Sequence, residues 1–396
     1  MRFETAKIKD LISEISMGPF GSNIKVECFV DTGIPVLNGS NLDGFVLKEN
    51  SFRYVTEEKA DSLGRANAHR GDVVITHRGT LGQIVFIPKT SLYDRYVISQ
   101  SQFRVRCNHR VLPEYLVYYF HTRKGQHKLL SNASQVGVPA LARASTTFQE
   151  IEIEVPSVID QERIVGILEA IREKEEINNA INENLLQQME SLYKAWFKEY
   201  IPFGGQCPSD WKKADIYSIA DIIYGAPFAS KLFNTDGDGL PIIRIRDLKE
   251  QVFVTYTTEQ HPKGHLIKPG DIVVGMDGEF RPYIWGNTEA WLNQRVCIFD
   301  NKRPKGKAFV LFTIKPLLYQ IEQTQVATTV IHIGKKDYDA FEFLLPDTDT
   351  LDQFDSITSP MIDQIVINCL ENKKLAEMRD ALLPRLMSGE MDVSDI

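Results

Sequence analysis

The sequence predicts an α+β chain: two similar mixed α/β domains separated by two long helices that form the two halves of a coiled coil. It is an internal duplication. Three observations lead there. Residues 159–200 hold no proline and, after Gly166, no glycine, and their apolar residues keep to helical spacing. A second stripe of the same kind follows roughly 190 residues later. The two globular stretches replay one another in order, the mark of a duplicated unit.

In the first stripe Ile164, Leu168, Ile171, Ile181, Leu185, Leu192 and Trp196 step by three or four, or by multiples that keep one face. At about 1.5 Å per residue such a helix is a rod of roughly 60 Å, too long and too narrowly striped for an ordinary core helix. Asn178 and Asn182 fall mid-rod, where a polar residue in a coiled-coil seam fixes register. The second helix is expected to start at Thr358-Ser359-Pro360, with Ser359 as N-cap and Pro360 at the first helical position. Met361, Ile365, Cys369, Leu375, Leu382 and Leu386 then carry its stripe.

A chain of 396 residues accommodates two domains of ordinary size, each with its own core. It has no run of 18 apolar residues, and Met1-Arg2-Phe3-Glu4 begins no signal peptide, so a soluble cytoplasmic protein is expected. Five scattered cysteines, with no CxxC and no His/Cys cluster, suit a reducing compartment and offer no metal site. The net charge of −8 is unevenly spread. Residues 1–156 hold 19 Lys+Arg against 16 Asp+Glu, a net of +3, and residues 201–346 hold 17 against 17. Residues 157–200 hold 5 against 9 and residues 347–396 hold 4 against 11, so the acid excess lies on the helices and tail. Globular parts that are neutral to slightly basic are compatible with a local nucleic-acid stripe.

Within residues 1–156 short β-like runs alternate with turns. Gly18-Pro19-Phe20-Gly21-Ser22 is a tight turn, and Gly33-Ile34-Pro35-Val36-Leu37 leads into Asn38-Gly39-Ser40-Asn41. Gly71-Asp72 opens the strand Val73-Val74-Ile75, which leaves into His77-Arg78-Gly79. A helix is expected from Pro113 to about His121, and Ile151, Ile153 and Val155 alternate with Glu152 and Glu154 in a closing strand. Residues 201–346 repeat the plan. Gly225-Ala226-Pro227-Phe228-Ala229-Ser230 answers the first turn, and Gly270-Asp271-Ile272-Val273-Val274 answers Gly71 to Ile75. Asn293-Gln294 answers Ser99-Gln100, Gln325-Val326 answers Gln135-Val136, and Phe341-Glu342-Phe343 answers Ile151-Glu152-Ile153.

These pieces, with Pro156 leading into Asp160-Gln161 and the ending Leu382-Leu383-Pro384-Arg385-Leu386-Met387-Ser388-Gly389-Glu390, resemble the specificity subunit of type I restriction-modification systems over nearly the whole chain. The resemblance implies target-recognition domains at 1–156 and 201–346, and spacer helices at 157–200 and 347–396. It implies a non-catalytic subunit whose two domains each read half of a bipartite, asymmetric duplex target. The two helices would pair as an antiparallel coiled coil with pseudo-twofold symmetry, and the pair would set the gap. Partner methyltransferase subunits, two of them, would use S-adenosylmethionine, and restriction subunits, where present, ATP and Mg. The second reading that the residues leave open is a coiled-coil scaffold with protein-binding ends.

Catalytic signatures are missing from the chain itself. There is no glycine-rich cofactor loop, no Asn/Asp-Pro-Pro-aromatic loop to hold a flipped base, and no GxxxxGK[ST]. Asp347-Thr348-Asp349 has carboxylates but no lysine motif for metal-assisted hydrolysis, and reads as a solvated loop ahead of the second helix. Base reading needs Arg or Lys for guanine and Asn or Gln for adenine, with hydroxyls for phosphates, presented from loops. The first domain offers Lys25, Asn38, Ser40, Asn41, His77, Arg78, Gln100 and Gln102; the second offers Lys231, Arg244, Arg246, Arg281, Gln294 and Arg295. Arg78 and Arg281 stand out because each leaves a Gly-Asp strand into a glycine-containing loop. Arg143, Lys335 and Lys336 are candidate phosphate contacts.

Overall fold

The computed structural model describes residues 1–134, 138–324 and 332–394, so the Gln135-Val136 and Gln325-Val326 correspondence lies outside the described residues. Two compact units emerge, one of Met1–Arg172 with Glu377–Ile396, the other of Glu173–Ala376. Both long helices contribute to both units.

In the first unit a four-stranded antiparallel sheet runs in the order Ile12–Met17, Gln102–Cys107, Asp72–Thr76, Ile84–Phe86. Asp72–Thr76 is buried along its whole length, which is why its sequence is a continuous apolar run rather than an alternating one. Gly71 takes φ +86°, and the Asp72 carboxylate accepts from the His69 N–H at 3.0 Å, closing the turn that launches the strand. Asp72 also accepts from Arg106 Nε at 2.8 Å, so this buried carboxylate is paired. A five-stranded sheet follows the order Phe29–Val30, Arg53–Val55, Ile34–Val36, Arg95–Val97, Asn67–His69, with Ile34–Val36 and Arg95–Val97 parallel. The closing strand Glu152–Val155 pairs with Glu4–Lys7. The helix Pro113–His121 begins at its proline and buries Tyr115 to Phe120 in the core.

The second unit has the same plan. Its four-stranded sheet is ordered Ala220–Tyr224, Val296–Asn301, Ile272–Gly275, Pro282–Ile284. Its five-stranded sheet is ordered Phe233–Asn234, Tyr256–Thr257, Leu240–Ile243, Ala290–Leu292, Leu266–Ile267, again with one parallel pair, and Lys212–Asp215 pairs with Glu342–Leu345. Gly270 sits at φ +89° and Asp271 accepts from the Lys268 N–H at 2.7 Å, the Gly71-Asp72 turn over again. The duplication is one of strand order and turn chemistry, not of sequence motifs alone.

The central helix is Val158–Phe197, close to the expected 159–200. The second is Thr348–Ser388 and begins well before the expected Ser359 cap. Asp347 is the residue that caps it, accepting from the Thr350 N–H at 2.9 Å and its hydroxyl at 2.6 Å. Asp347-Thr348-Asp349 is therefore the helix start rather than a loop. Pro360 lies inside the helix on its exposed face, and the carbonyl left without an N–H donor belongs to Ser356, also exposed. Burial of Leu351, Phe354 and Thr358 holds the turns before the proline.

Within the second unit the helices run antiparallel. Asn368 Nδ2 donates to Asn182 Oδ1 at 2.8 Å, and Asn178 Nδ2 donates to Asn372 Oδ1 at 2.8 Å, so residue numbers rise on one helix as they fall on the other. Asn178 and Asn182 are buried in the seam as expected, together with Met189 and Tyr193, but the expected apolar stripe is displaced: Ile181 is exposed and Leu185, Leu192 and Trp196 are half-buried. The reason is that this helix packs against its domain as well as its partner helix, which shifts the most buried face by one position. In the first unit Ile164 and Leu168 share a core with Leu383, Leu386 and Met387.

Candidate nucleic-acid interface

Each unit builds its candidate loops on one close backbone approach. The Gly18 N–H donates to Gln102 O at 2.8 Å, and a Cβ at Gly18 would stand 1.8 Å from Ser99 O. The Gly225 N–H donates to Val296 O at 3.0 Å, and a Cβ there would stand 2.0 Å from Asn293 O. Only glycine fits at either place, and the approach pins Ser99-Gln100 in one unit and Asn293-Gln294 in the other.

The loop after the central strand is fixed in the same way on both sides. His77 N donates to Ser101 O and Leu141 N to His77 O, each at 2.9 Å, and Arg78 bridges Ala140. In the second unit Met276 N donates to Arg295 O and Ile333 N to Met276 O, each at 2.9 Å, and Asp277 bridges His332. The counterpart of Arg78 is thus Asp277, and the counterpart of Ser101 is Arg295.

The expected equivalence of Arg78 and Arg281 is therefore corrected. Strand register pairs Ile75 with Ile84 and Val274 with Pro282, so Arg281, one residue before Pro282, corresponds to Gln83. Its guanidinium is engaged by both carboxylate oxygens of Glu322 and lies 5.8 Å from the Tyr319 ring, which draws it to the helix Lys307–Thr324.

In the first unit Gln100 and Arg78 line a groove of about 620 Å³ with His77, Arg65 and Phe20. Phe20 stands 82% exposed, a flat apolar face presented outward from the Gly-Pro-Phe-Gly turn. Burial pushes the His77 imidazole below its ordinary range, and its Nε2 lies 3.1 Å from Gln100 O, an acceptor, so the neutral ring donates there. The equivalent Phe228 is buried against Trp291, ring centroids 5.4 Å apart, so the second unit presents no such face at this turn.

The remaining candidates separate by burial. Asn41 and Gln102 are closed to solvent and are corrected to structural roles. Asn41 accepts from Asn38 N and donates to the Lys48 and Asn50 carbonyls, and Gln102 Oε1 accepts from Ser99 N at 2.9 Å. Both tie turns that the exposed residues need. Asn38 caps the same short helix, accepting from Ser40 N at 2.8 Å, and leaves Ser40 exposed. Lys25 is exposed and 3.5 Å from Glu27. Arg143 is exposed and holds the left-handed conformation, φ +49°. Arg244 and Arg246 both face Asp247, at 3.3 and 3.7 Å. Lys231 and Gln294 are exposed, and Lys335 is paired with Asp339 at 2.7 Å. Sequence reasoning passed over Phe20, Arg65, Asp277 and His332. Phe20 was visible only as part of a turn, and Asp277 and His332 gain meaning only once Arg295 is placed beside them.

Among the described residues no three His, Cys, Asp or Glu side chains group as metal ligands, and no helix is long and apolar enough to cross a membrane. The family model for the type I restriction modification DNA specificity domain matches residues 3–187 and again 208–375. The chain belongs to that family. It carries two copies of the specificity domain, in agreement with the doubled sheets. The EcoBI type I specificity subunit of Escherichia coli is 31% identical over 194 residues, covering 47% of this chain and 40% of that protein's length. The MjaIX specificity subunit of Methanocaldococcus jannaschii is 22% identical over 417 residues, covering 100% of this chain and 94% of its own. The crystal structure of a type I S subunit from M. genitalium superposes with a TM-score of 0.56 at 15% identity, covering 97% of this chain and 96% of that one, a likeness of fold.

Proposed function

We propose that this chain is the sequence-specificity subunit of a type I restriction-modification complex, each domain reading one half of a bipartite, asymmetric duplex target. The observation that carries it is the charge reversal at one equivalent position. Two domains share strand order, glycine approach and loop hydrogen bonds, yet one presents Arg78 where the other presents Asp277. A frame kept constant beneath unlike contact residues is what two readers of different half-sites require.

The chain itself transfers no methyl group and cleaves no strand. Methyl transfer from S-adenosylmethionine belongs to two methyltransferase subunits docked on the helix pair, and ATP- and Mg-dependent restriction to a further subunit. Because the globular stretches carry little net charge, phosphate-driven affinity is low and specific binding matures only when a partner joins. The test is methylation of duplex DNA by the purified chain, by a methyltransferase partner alone, and by the two together. Activity is expected from the combination only. Methyl transfer by the chain alone contradicts the proposal.

A further inference from the structure

Three backbone segments of the second unit converge on one ion cluster. The Met276 N–H to Arg295 carbonyl bond, the Asp277–His332 bridge and the Ile333 N–H to Met276 carbonyl bond hold residues 276–277, 295 and 332–333 together. On this frame the Asp277 carboxylate lies 2.6 Å from His332 Nδ1 and 3.6 Å from Arg295 Nε. The Met276 carbonyl is 3.1 Å from the same Nδ1. Arg295 Nη1 lies 3.2 Å from Nδ1 and 3.3 Å from Nε2, so the guanidinium rests against the imidazole ring. The Arg295 side chain is held at its guanidinium from two sides and yet remains 53% exposed. Gln294 beside it is exposed as well, on the loop that the Gly225 approach pins. Arg281, by contrast, has its fork closed on Glu322.

We propose that Arg295 is the base-reading residue of the second domain, that Asp277 and His332 are its positioning residues, and that it takes the major-groove edge of a guanine. This rests on the reading of the chain as a DNA-specificity subunit. The planar fork of an arginine matches guanine O6 and N7, and a carboxylate behind the guanidinium fixes its direction before DNA arrives, so less side-chain freedom is lost on binding. In the first domain the cation stands on the other side of the same loop junction, at Arg78, with Ser101 in the place of Arg295.

The test uses the full chain with its methyltransferase partner and competition binding against duplexes altered one base pair at a time. Arg295→Ala is expected to lose about 10- to 100-fold discrimination at a single G·C position of one half-site, all other positions keeping theirs. Arg295→Lys keeps the charge and the salt dependence but loses the same discrimination. Asp277→Asn gives a smaller loss confined to that position, partly restored by Asp277→Glu, an effect that a purely structural role would not produce. Full discrimination by Arg295→Lys overturns the assignment. So does a uniform loss across all duplexes with a shallower salt dependence in Arg295→Ala, which marks a phosphate contact. If the parent complex shows no preference among duplexes, the specificity-subunit reading itself fails; if the parent discriminates and the Arg295 variants do so equally, only this assignment fails.

Discussion

Asn368 donates to Asn182 at 2.8 Å inside the helix seam of the second unit, and both side chains are buried. One turn away Asn178 donates to Asn372 and to Glu371 at 2.8 and 2.7 Å. A buried amide in a helix seam is satisfied only when its partner stands opposite, so these two layers fix one register. Asn182→Leu leaves the Asn368 amide N–H buried without its acceptor, Gln364 still donating to the Asn368 oxygen at 2.7 Å, and is expected to cost about 1–3 kcal/mol. Replacing both by Leu restores an apolar layer, and the double variant is expected to recover most of that loss while losing the preference for one register. A double-mutant cycle by chemical denaturation checks the energies, and cysteine cross-linking along the seam checks the register. Additive losses in the cycle would show that the pair does not act as a unit.

Arg78 and Arg281 are expected to behave differently. Arg78→Ala should cost about 1–3 kcal/mol of discrimination in one half-target and leave the other intact. Arg281→Ala should leave both halves unchanged and alter stability by less than about 1 kcal/mol, because its partner Glu322 forms an ion pair that solvent reaches. Binding to duplexes with each half scrambled in turn separates the two outcomes. A half-site change from Arg281→Ala would restore the simpler motif-based pairing.

The two glycine approaches give a packing prediction. A methyl group at Gly225 would meet the Asn293 carbonyl at 2.0 Å, and backbone cannot yield as a flexible side chain can. Gly225→Ala is expected to destabilise the chain by about 1–3 kcal/mol, as overpacked cores do, and to displace Asn293-Gln294. Thermal melting measures the first effect and loss of discrimination in one half-site the second. An unchanged melting temperature would mean that the loop moves freely.

Much of the frame was legible in the sequence, because Gly-Asp turns, a proline-started helix and continuous apolar strands are local chemistry. Helix Pro113–His121 and both Gly-Asp strands lie where their residues place them. The second helix start was misplaced because Ser359-Pro360 has all the local features of a cap, while burial of Leu351, Phe354 and Thr358 is tertiary and overrides them. The site was less legible. Arg78 and Arg281 follow similar motifs, but the loop between strand and hairpin partner hides which residue faces out. Asn41 and Gln102 have the residue type of base readers and the burial of scaffold, a distinction that no local pattern carries.

His121 gives the chain a defined acid sensitivity. It is half-buried, with its Nε2 2.9 Å from Ile84 O and its ring 4.4 Å from that of Phe45, and the loss of solvent there holds the imidazole below its ordinary value of 6.5. The unfolded chain takes up a proton near pH 6.5 while the folded chain resists, so the stability from the neutral ring is full above that pH and falls as pH drops beneath it. The melting temperature is expected to decline as pH falls from 6.5. His121→Gln should lower it at every pH and flatten the decline, His77 supplying the remainder. An equally steep decline in the variant would place the acid sensitivity elsewhere.

Two domains with one frame and unlike contact residues are expected to read two different half-sites. Sequencing the methylated positions in DNA of cells that express this chain with its methyltransferase partner measures this directly. The expected result is one bipartite motif with two unlike halves separated by a fixed gap of unspecified bases. A palindromic motif, a single contiguous motif, or methylation without sequence preference would contradict it.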